Sequence, residues 1–172
     1  ITQSTTSVYS LLNGINIVLK AVPSKTTMPI LECILIDATG TEIKLTGNDM
    51  ELGIETKVEG EILEHGKIAL DAKLFSEITR RLSSENASVT IESDDKFNTT
   101  IRCENSVFNI QGRDGEEFAY LPYIEKDKYI CLSQFTLKEV IQQTIFSISP
   151  NDSNKMMAGE LFEVNENQLK VV

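Results

Sequence analysis

The chain has 172 residues, of which 41% are hydrophobic and 24% are charged, and it carries a formal net charge of −10 at pH 7. This is the composition of an ordinary globular protein. An acidic chain is repelled from nucleic acids and from anionic membranes at long range, so contact with DNA would require a local reversal of charge. No apolar run approaches the roughly 20 residues of a membrane-spanning helix, and we expect no membrane association.

The three cysteines, Cys33, Cys103 and Cys131, lie far apart in the sequence, each within an apolar, strand-like run. Their number is odd, and their spacing matches no metal-binding motif. We therefore predict three buried free thiols in a protein of the reducing cytoplasm.

The first part of the chain predicts one helix followed by three strands. Apolar side chains recur at helical spacing from Val8 to Val22, on one face of a helix that Gly14 weakens without forbidding. Alternating runs then predict strands at residues 33–36, 42–46 and 51–58, with a turn at residues 38–40.

The next part of the chain repeats this order. Residues 67–71 form a short strand-like run that ends at Asp71, a predicted N-cap. The helical stripe that follows consists of Leu74, Phe75, Ile78 and Leu82. Further strands are predicted at residues 89–91, 99–103 and 107–110, with turns at 93–96 and 104–105.

Residues 129–133 open a third copy. They match residues 67–71, with Ile130 in the place of Ile68 and Leu132 in the place of Leu70, and they lead to a predicted N-cap at Ser133. A third helical stripe follows, formed by Leu137, Val140, Ile141, Ile145 and Ile148. The pattern predicts a repeated unit of one helix and three strands, with a period of about 60 residues.

The repeat predicts the domain organisation. Two complete units fill residues 1–122, which we interpret as a first α+β domain with its helices on one side and its antiparallel sheets on the other. Pro122 and a cluster of charges mark a linker at residues 123–127. We interpret residues 128–172 as the first half of a second domain, within a longer protein.

Basic residues concentrate on the predicted helices. These helices hold five cations and three acids, a charge of +2, which leaves −12 for the rest of the chain. A mildly positive face would tolerate a phosphate backbone without holding it tightly, and the contact would be weak and independent of base sequence. The alternative for Arg80 and Arg81 is that they only offset a helix dipole. The five cations are Lys20, Lys73, Arg80, Arg81 and Lys138.

The sequence contains no recognisable catalytic or cofactor motif. His65 is the only histidine, and its neighbours Glu64 and Gly66 place it in an exposed turn, so no nucleophile and base are paired. There is no glycine-rich phosphate loop and no metal-ligand spacing. We expect no enzymatic activity, no cofactor and no metal ion.

Three stretches, in order, resemble one family. They are KTTMPIL at residues 25–31, LTGNDME at residues 45–51, and FSIS at residues 146–149 with GELFE at residues 159–163. They are similar to the N-terminal part of the bacterial sliding clamp, the beta subunit of DNA polymerase III, and the similarity extends over nearly the whole chain. The resemblance implies the DNA-clamp fold, in which helices line a hole and sheets form the outside. It also implies a homodimeric ring that encircles duplex DNA, tethers the polymerase, is placed on DNA by a clamp loader, and makes or breaks no bond itself.

The resemblance also implies roles for individual residues. Lys25 and Asn151 match DNA-contacting positions, Lys155 adds a cation beside Asn151, and the helix cations that could face DNA are Lys20, Lys73, Arg80 and Arg81. An edge strand and a helix close the ring in the family, and here they correspond to Phe108, Ile110, Leu74 and Ile78, for which core packing is the alternative. Met157 matches one position of the pocket that binds partner peptides.

Two other functions stay open at this point. One is a protein-interaction module without a DNA role, whose acidic face binds a basic partner. The other is a fragment of an enzyme whose catalytic half is elsewhere. A sliding clamp would be retained on circular but not on linear DNA, whereas an interaction module would show no such dependence, and an enzyme would need a deep polar pocket with perturbed titrating groups.

Overall fold

A computed structural model describes residues 2–82, 87–119, 121, 129–149, 155–165 and 168–172, without the side chains of residues 155 and 156. The chain divides into two units, Ile1–Pro122 and Tyr123–Val172, which we call unit 1 and unit 2 and describe separately. None of the described helices is long and apolar enough to cross a membrane.

Unit 1 contains two α-helices and ten strands among its described residues. The helices are α1 (Val8–Val18) and α2 (Ala72–Arg80), and short 3-10 helices span Leu19–Ala21, Pro29–Glu32 and Gly115–Glu117. The strands are β1 (Thr2–Ser7), β2 (Cys33–Asp37), β3 (Ile43–Asn48), β4 (Gly53–Val58), β5 (Gly60–Glu64), β6 (Lys67–Asp71), β7 (Ser88–Ser93), β8 (Asn98–Cys103), β9 (Ser106–Gln111) and β10 (Arg113–Asp114). Both helices and every strand predicted in this unit are confirmed, with ends that differ by a few residues.

The strands form two antiparallel five-stranded sheets. The strand order of one sheet becomes that of the other when each strand is replaced by its equivalent in the other repeat. Sheet A has the order β5-β1-β7-β8-β9, and sheet B has the order β10-β6-β2-β3-β4. Each sheet therefore joins the first and last strands of one repeat to the three middle strands of the other. Neither repeat can complete a sheet alone, because its middle strands pair with the first strand of its partner.

The repeated unit is a strand, a helix and four strands, so the predicted unit of one helix and three strands is wrong. The missing element is β1, with sequence TQSTTS, which lacks the apolar alternation typical of a half-buried strand. Thr2, Ser4 and Thr6 point inward and are buried. The hydroxyl of Thr6 donates to the carbonyl of Glu59 at 2.6 Å, which offsets the cost of burying it.

The helices and the inner faces of the sheets share one core. Ile15 of α1, Leu45 of β3, Phe75 of α2 and Ile101 of β8 are fully buried in it, and the two helices contact each other. Gly14, which weakens α1 by propensity, has a packing reason: a Cβ there would lie 2.7 Å from Cγ2 of Val58. A larger residue at position 14 would therefore require the side chain of Val58 to shift.

The three α-helices among the described residues begin with the same cap. The side chains of Ser7, Asp71 and Ser133 accept the backbone N–H three residues on, in α1, α2 and α3 respectively. This confirms the predicted caps at Asp71 and Ser133. The same hydrogen bond therefore occurs at the start of the helix in each of the three copies of the repeat.

Unit 2 contains α3 (Gln134–Thr144) and a hairpin of β11 (Phe162–Asn165) and β12 (Gln168–Val171), with 3-10 helices at Ile145–Ser147 and Lys155–Ala158. Residues 129–132 are not a strand, so that prediction is wrong. In unit 1 the equivalent strand β6 pairs with β2 of the other repeat, and the described part of unit 2 contains no such partner.

Leu137, Val140 and Ile141 of the predicted third stripe lie on α3, whereas Ile145 begins a 3-10 helix and Ile148 follows it. No residue of α3 is buried. Cys131 is exposed, unlike the buried Cys33 and Cys103, so the prediction of three buried thiols is wrong for Cys131. In both cases the described residues of unit 2 leave the apolar side chains uncovered.

Candidate functional site

One row of exposed polar side chains runs along α1 and its 3-10 extension. Tyr9, Asn13, Asn16 and Lys20 follow one another at spacings of four, three and four residues and are all exposed, which puts them on one side of the helix, opposite the buried stripe. No acidic residue occurs in either segment. The row therefore ends in a positive charge, Lys20, with no acidic residue in its own segments.

A second row lies on α2 and is joined to the first. Lys73, Glu77 and Arg80 are exposed at spacings of four and three, so the three side chains lie on one side of the helix. Nη2 of Arg80 donates to Oδ1 of Asn16 at 3.2 Å. We call the combined surface the α1–α2 face, and its residues are Tyr9, Asn13, Asn16, Lys20, Lys73, Glu77 and Arg80.

The α1–α2 face has the opposite charge from the rest of unit 1. Its three cations and one acid give +2, whereas residues 1–122 as a whole hold 11 basic and 19 acidic side chains, a formal charge of −8. The remainder of the unit thus carries −10. This separation supports the charge reversal that contact with a polyanion requires.

Lys25 lies in the segment that follows α1. It is exposed, five residues beyond Lys20, in the connection between the 3-10 helices Leu19–Ala21 and Pro29–Glu32. Thr26 Oγ1 accepts the N–H of Met28 at 3.1 Å, which tightens this connection. Pro29 begins the 3-10 helix Pro29–Glu32, because its fixed φ suits a first helical position.

The four predicted ring-interface residues come together in one groove. Leu74 and Ile78 of α2 face Phe108 and Ile110 of the edge strand β9 across an open groove of 420 Å³. Ile78 is buried, and Phe108 and Ile110 are partly buried against the core. These three side chains therefore also contribute to core packing, the alternative role. Leu74 is 43% exposed. The groove is completed by Glu77, Arg81, Val107 and Asn109.

Arg81 lies on a different side of α2 from Arg80. It lines the groove, while Arg80 reaches across to Asn16 of α1. Two adjacent arginines on a helix point about 100° apart, which follows from 3.6 residues per turn. The structure therefore places Arg80 beside Asn16, in the row that ends at Lys20, and leaves Arg81 with the groove.

Two thiols of unit 1 are buried. Burial raises the pKa of the Cys33 and Cys103 thiols, which makes them less reactive. His65 is exposed, and its Nδ1 lies 2.9 Å from the carbonyl oxygen of Ala38. In the part of the chain that the structure describes, no three His, Cys, Asp or Glu side chains cluster as metal ligands.

Predicted site residues of unit 2 are only partly described. Asn151 lies outside the described residues, and Lys155 begins the 3-10 helix Lys155–Ala158 without a described side chain. Met157 in that helix is exposed, and its carbonyl accepts the N–H of Ser149 at 2.8 Å.

Comparison with known proteins assigns the family. The family model of the DNA polymerase III beta subunit, N-terminal domain, matches residues 4–122. The chain belongs to this family. The beta sliding clamp of Halalkalibacterium halodurans is 38% identical over 163 residues, which are 90% of this chain and 42% of that protein. The beta sliding clamp of Bacillus subtilis is 36% identical over 167 residues, 92% of this chain and 44% of that protein.

Solved structures of the DNA polymerase III beta subunit family confirm the DNA-clamp fold. A beta subunit from Eubacterium rectale has a TM-score of 0.93 and 60% identity, covering 99% of this chain and 46% of that chain. The Bacillus subtilis sliding clamp has a TM-score of 0.90 and 32% identity, covering 98% of this chain and 46% of that chain. This chain thus spans less than half the length of these sliding-clamp relatives.

Sequence reasoning missed Asn16 and the rest of the uncharged row on α1. The sequence does contain a signal for this row. In a helix, positions 9, 13, 16 and 20 lie on the side opposite the apolar stripe. Counting charges found Lys20 and Arg80, but uncharged side chains do not enter such a count.

Proposed function

We propose that this chain is the N-terminal part of a DNA sliding clamp, a ring that encloses duplex DNA and tethers the replicative polymerase. The supporting observation is the α1–α2 face, a surface of charge +2 on a unit of −8, in a chain of the sliding-clamp family. In this proposal the face lines the hole, and Lys25 lies at its rim. The outer faces of the sheets keep the negative charge.

A ring needs only weak attraction to DNA. Three cations and Lys25 neutralise few phosphates, so few counterions are released and binding is weak and sensitive to salt. Asn16, Asn13 and Tyr9 can form hydrogen bonds with phosphate oxygens without adding charge. Retention then comes from enclosure, and the protein has no need of catalytic groups, a cofactor or a metal ion.

We further propose that the groove between α2 and β9 closes the ring against a second subunit. The groove combines an exposed apolar side chain, Leu74, with a sheet edge at β9, and an open edge can pair with another chain. Phe108 and Ile110 supply the apolar centre, and Arg81 with Glu77 supplies charges at the margin. Such an arrangement matches the apolar core and polar rim of subunit interfaces.

For unit 2 we propose that residues 128–172 are the first half of a second domain, joined by a linker at residues 123–127. In this organisation Asn151 and Lys155 contact DNA, and Met157 contributes to the pocket for partner peptides of the polymerase. The exposed apolar stripe of α3 supports the domain assignment, because a stripe of this kind is normally covered by a neighbouring layer.

Topology gives the direct test. The full-length protein is loaded by its clamp loader on nicked circular DNA, separated from free protein, and then released or retained after the circle is cut with a restriction enzyme. We expect retention on the circle and release from the linear product at moderate salt. Equal retention on both forms would contradict the ring and favour an interaction module without a DNA role.

A further inference from the structure

The segment that leaves unit 1 crosses the outer face of sheet B. After the edge strand β10, which pairs with β6, the chain contacts β6 and β2, then β3, then β4. We call residues 115–119 and 121 the strap. It runs from one edge of the sheet to the other, and it is attached at three places.

The first attachment is apolar. Phe118 is 1% exposed and packs on Cys33 and Leu35 of β2 and Ala69 of β6. These three side chains point away from the main core, so Phe118 covers a small second core on the outside of the sheet. Nearby, Nζ of Lys67 lies 3.3 Å from Oε1 of Glu116.

The second attachment is a buried amide. Asn48 at the end of β3 is 5% exposed, and its Nδ2 donates to the carbonyl oxygen of Ala119 at 3.0 Å. Its Oδ1 accepts the N–H of Met50 at 2.8 Å, in a turn where Met50 has a φ of 76°. One side chain thus holds both the β3–β4 turn and the strap, and both of its polar atoms are satisfied.

The third attachment depends on a missing side chain. Gly53 begins β4, and a Cβ there would lie 1.8 Å from Cδ2, 3.1 Å from Cγ and 3.3 Å from Cδ1 of Leu121. The side chain of Leu121 therefore occupies the space that any residue larger than glycine would need. Since Gly53 has no positive φ, this requirement is steric and not conformational.

The strap departs from the exchange symmetry of unit 1. The outer face of sheet A exposes Glu92, Arg102 and Asn109, whereas the equivalent face of sheet B is covered by Phe118 and Leu121. The rest of unit 1 follows the symmetry, so the strap is a feature of the second repeat alone. It is also the segment that continues toward unit 2.

We propose that the strap fixes the point at which the chain leaves unit 1, and that Asn48 and Gly53 are the positioning residues that hold it there. The stretch at residues 45–51 and the glycine that follows it would then serve the connection between domains and not the DNA contact. In a closed ring of domains, each connection between domains must leave its domain at a fixed position, so the strap would contribute to ring closure. This role in the ring rests on the proposed function.

Hydrogen exchange of the full-length protein tests the attachment. Asn48→Asp keeps the acceptor for Met50 and replaces the donor to Ala119 with an oxygen, and Gly53→Ala displaces Leu121. For both variants we expect about tenfold faster amide exchange in peptides covering residues 115–121, the factor that corresponds to about 1.4 kcal/mol. Gly40→Ala is the matched control, because nothing lies within 4 Å of its Cβ.

A double variant distinguishes a role of Gly53 in positioning the strap from a general loss of stability in Gly53→Ala. Leu121→Ala removes the three atoms that a Cβ at Gly53 would meet, so Gly53→Ala in the Leu121→Ala background should add no further exchange. Unchanged exchange in Asn48→Asp and Gly53→Ala, or additive effects of Gly53→Ala and Leu121→Ala, would overturn the proposal.

The ring consequence has its own readout. We expect full-length Gly53→Ala to leave closed circular DNA earlier than the wild type and Gly40→Ala. If exchange rises while release is unchanged, the link between the strap and ring closure is wrong. Failure of the wild type to stay on circles would instead contradict the proposed function and leave the exchange result unaffected.

Discussion

Arg80 and Asn16 join the two helices of unit 1 through a hydrogen bond of 3.2 Å between Nη2 and Oδ1. The two residues are 64 positions apart, and each belongs to the exposed row of its own helix. The contact directs the guanidinium of Arg80 toward α1 and places it among the polar side chains of that row. The hydrogen bond therefore fixes the position of one of the three positive charges of the α1–α2 face.

Charge reversal at Lys25 tests the rim of the proposed hole. Lys25→Glu should weaken association with duplex DNA and lower the salt dependence by about one unit of the logarithmic slope, since one phosphate contact is lost. Thermal stability should stay within about 0.5 kcal/mol, as for other exposed substitutions. The measurement is fluorescence-detected binding over a series of salt concentrations. Lys57→Glu, on the outer face of sheet B, is the control, and an equal loss there would mean that only net charge matters.

The groove residues can be tested without damaging the core, because Leu74 is 43% exposed. In the full-length protein, Leu74→Asp should dissociate the dimer by placing a charge in an apolar interface, with a rise in Kd of about 30-fold or more, as for an interface hot spot. Sedimentation velocity measures the change. Leu63→Asp is a matched control, because Leu63 is 49% exposed on β5, at the opposite edge of sheet A. A dimer unaffected by Leu74→Asp would remove the groove from the ring interface.

Asp49 makes a pH-dependent contribution to stability. Its pKa is lowered from the usual 3.8, first because its carboxylate accepts the N–H of Leu52 and second because it accepts the N–H of Glu51. A lowered folded-state pKa means that the stabilisation is present above pH 3.8 and is lost as the pH falls through the lower folded value. Asp49→Asn should therefore lower the Tm at neutral pH and lose this difference in strong acid.

Thermal melts of the wild type and Asp49→Asn between pH 2 and pH 7 measure this effect. Glu61→Gln, which removes one exposed charge from β5, controls for the change in net charge. A Tm difference that stays constant over the whole range would assign the effect of Asp49→Asn to lost hydrogen-bond geometry and not to the carboxylate charge.

Thiol labelling tests the proposed organisation of unit 2. In the 172-residue chain Cys131 is exposed, so a maleimide should modify it rapidly while Cys33 and Cys103 react only on unfolding. In the full-length protein we expect Cys131 to be protected as well, since the second half of the proposed domain would cover it. Mass spectrometry after timed labelling gives both rates. Rapid labelling in the full-length protein would contradict the half-domain assignment.

Much of unit 1 follows from rules that act over short distances. The start of α2 is fixed by the Asp71 cap and by an apolar stripe of period 3.6, and both are visible in the sequence. The hairpin strands β7 and β8 show alternation and a turn of polar residues. These elements were predicted because their signals lie within the elements themselves.

The elements that escaped prediction depend on distant partners. β1 is a strand because β5 and β7 supply ladders on both of its edges, and its inward side chains are hydroxyls that no hydrophobic pattern reveals. Residues 129–132 have the sequence of a strand, but the described residues of unit 2 include no partner like the one that β6 has. In each case long-range pairing overrides the local pattern.

The same distinction applies to the candidate site. Charge counting located Lys20, Lys73 and Arg80, because charge on a helix is a local property. The separation of Arg80 from Arg81, and the meeting of α2 with β9 in the groove, required the positions of elements that are distant in the sequence.

Site-specific photo-crosslinking gives the most direct test that the helices face DNA. A benzophenone amino acid is placed at Asn13 of the α1–α2 face, or at Glu92 on the outer face of sheet A, in full-length protein loaded on circular DNA. We predict crosslinks to DNA from position 13 and none from position 92. Crosslinks from position 92, or equal yields from both positions, would contradict a ring lined by α1 and α2.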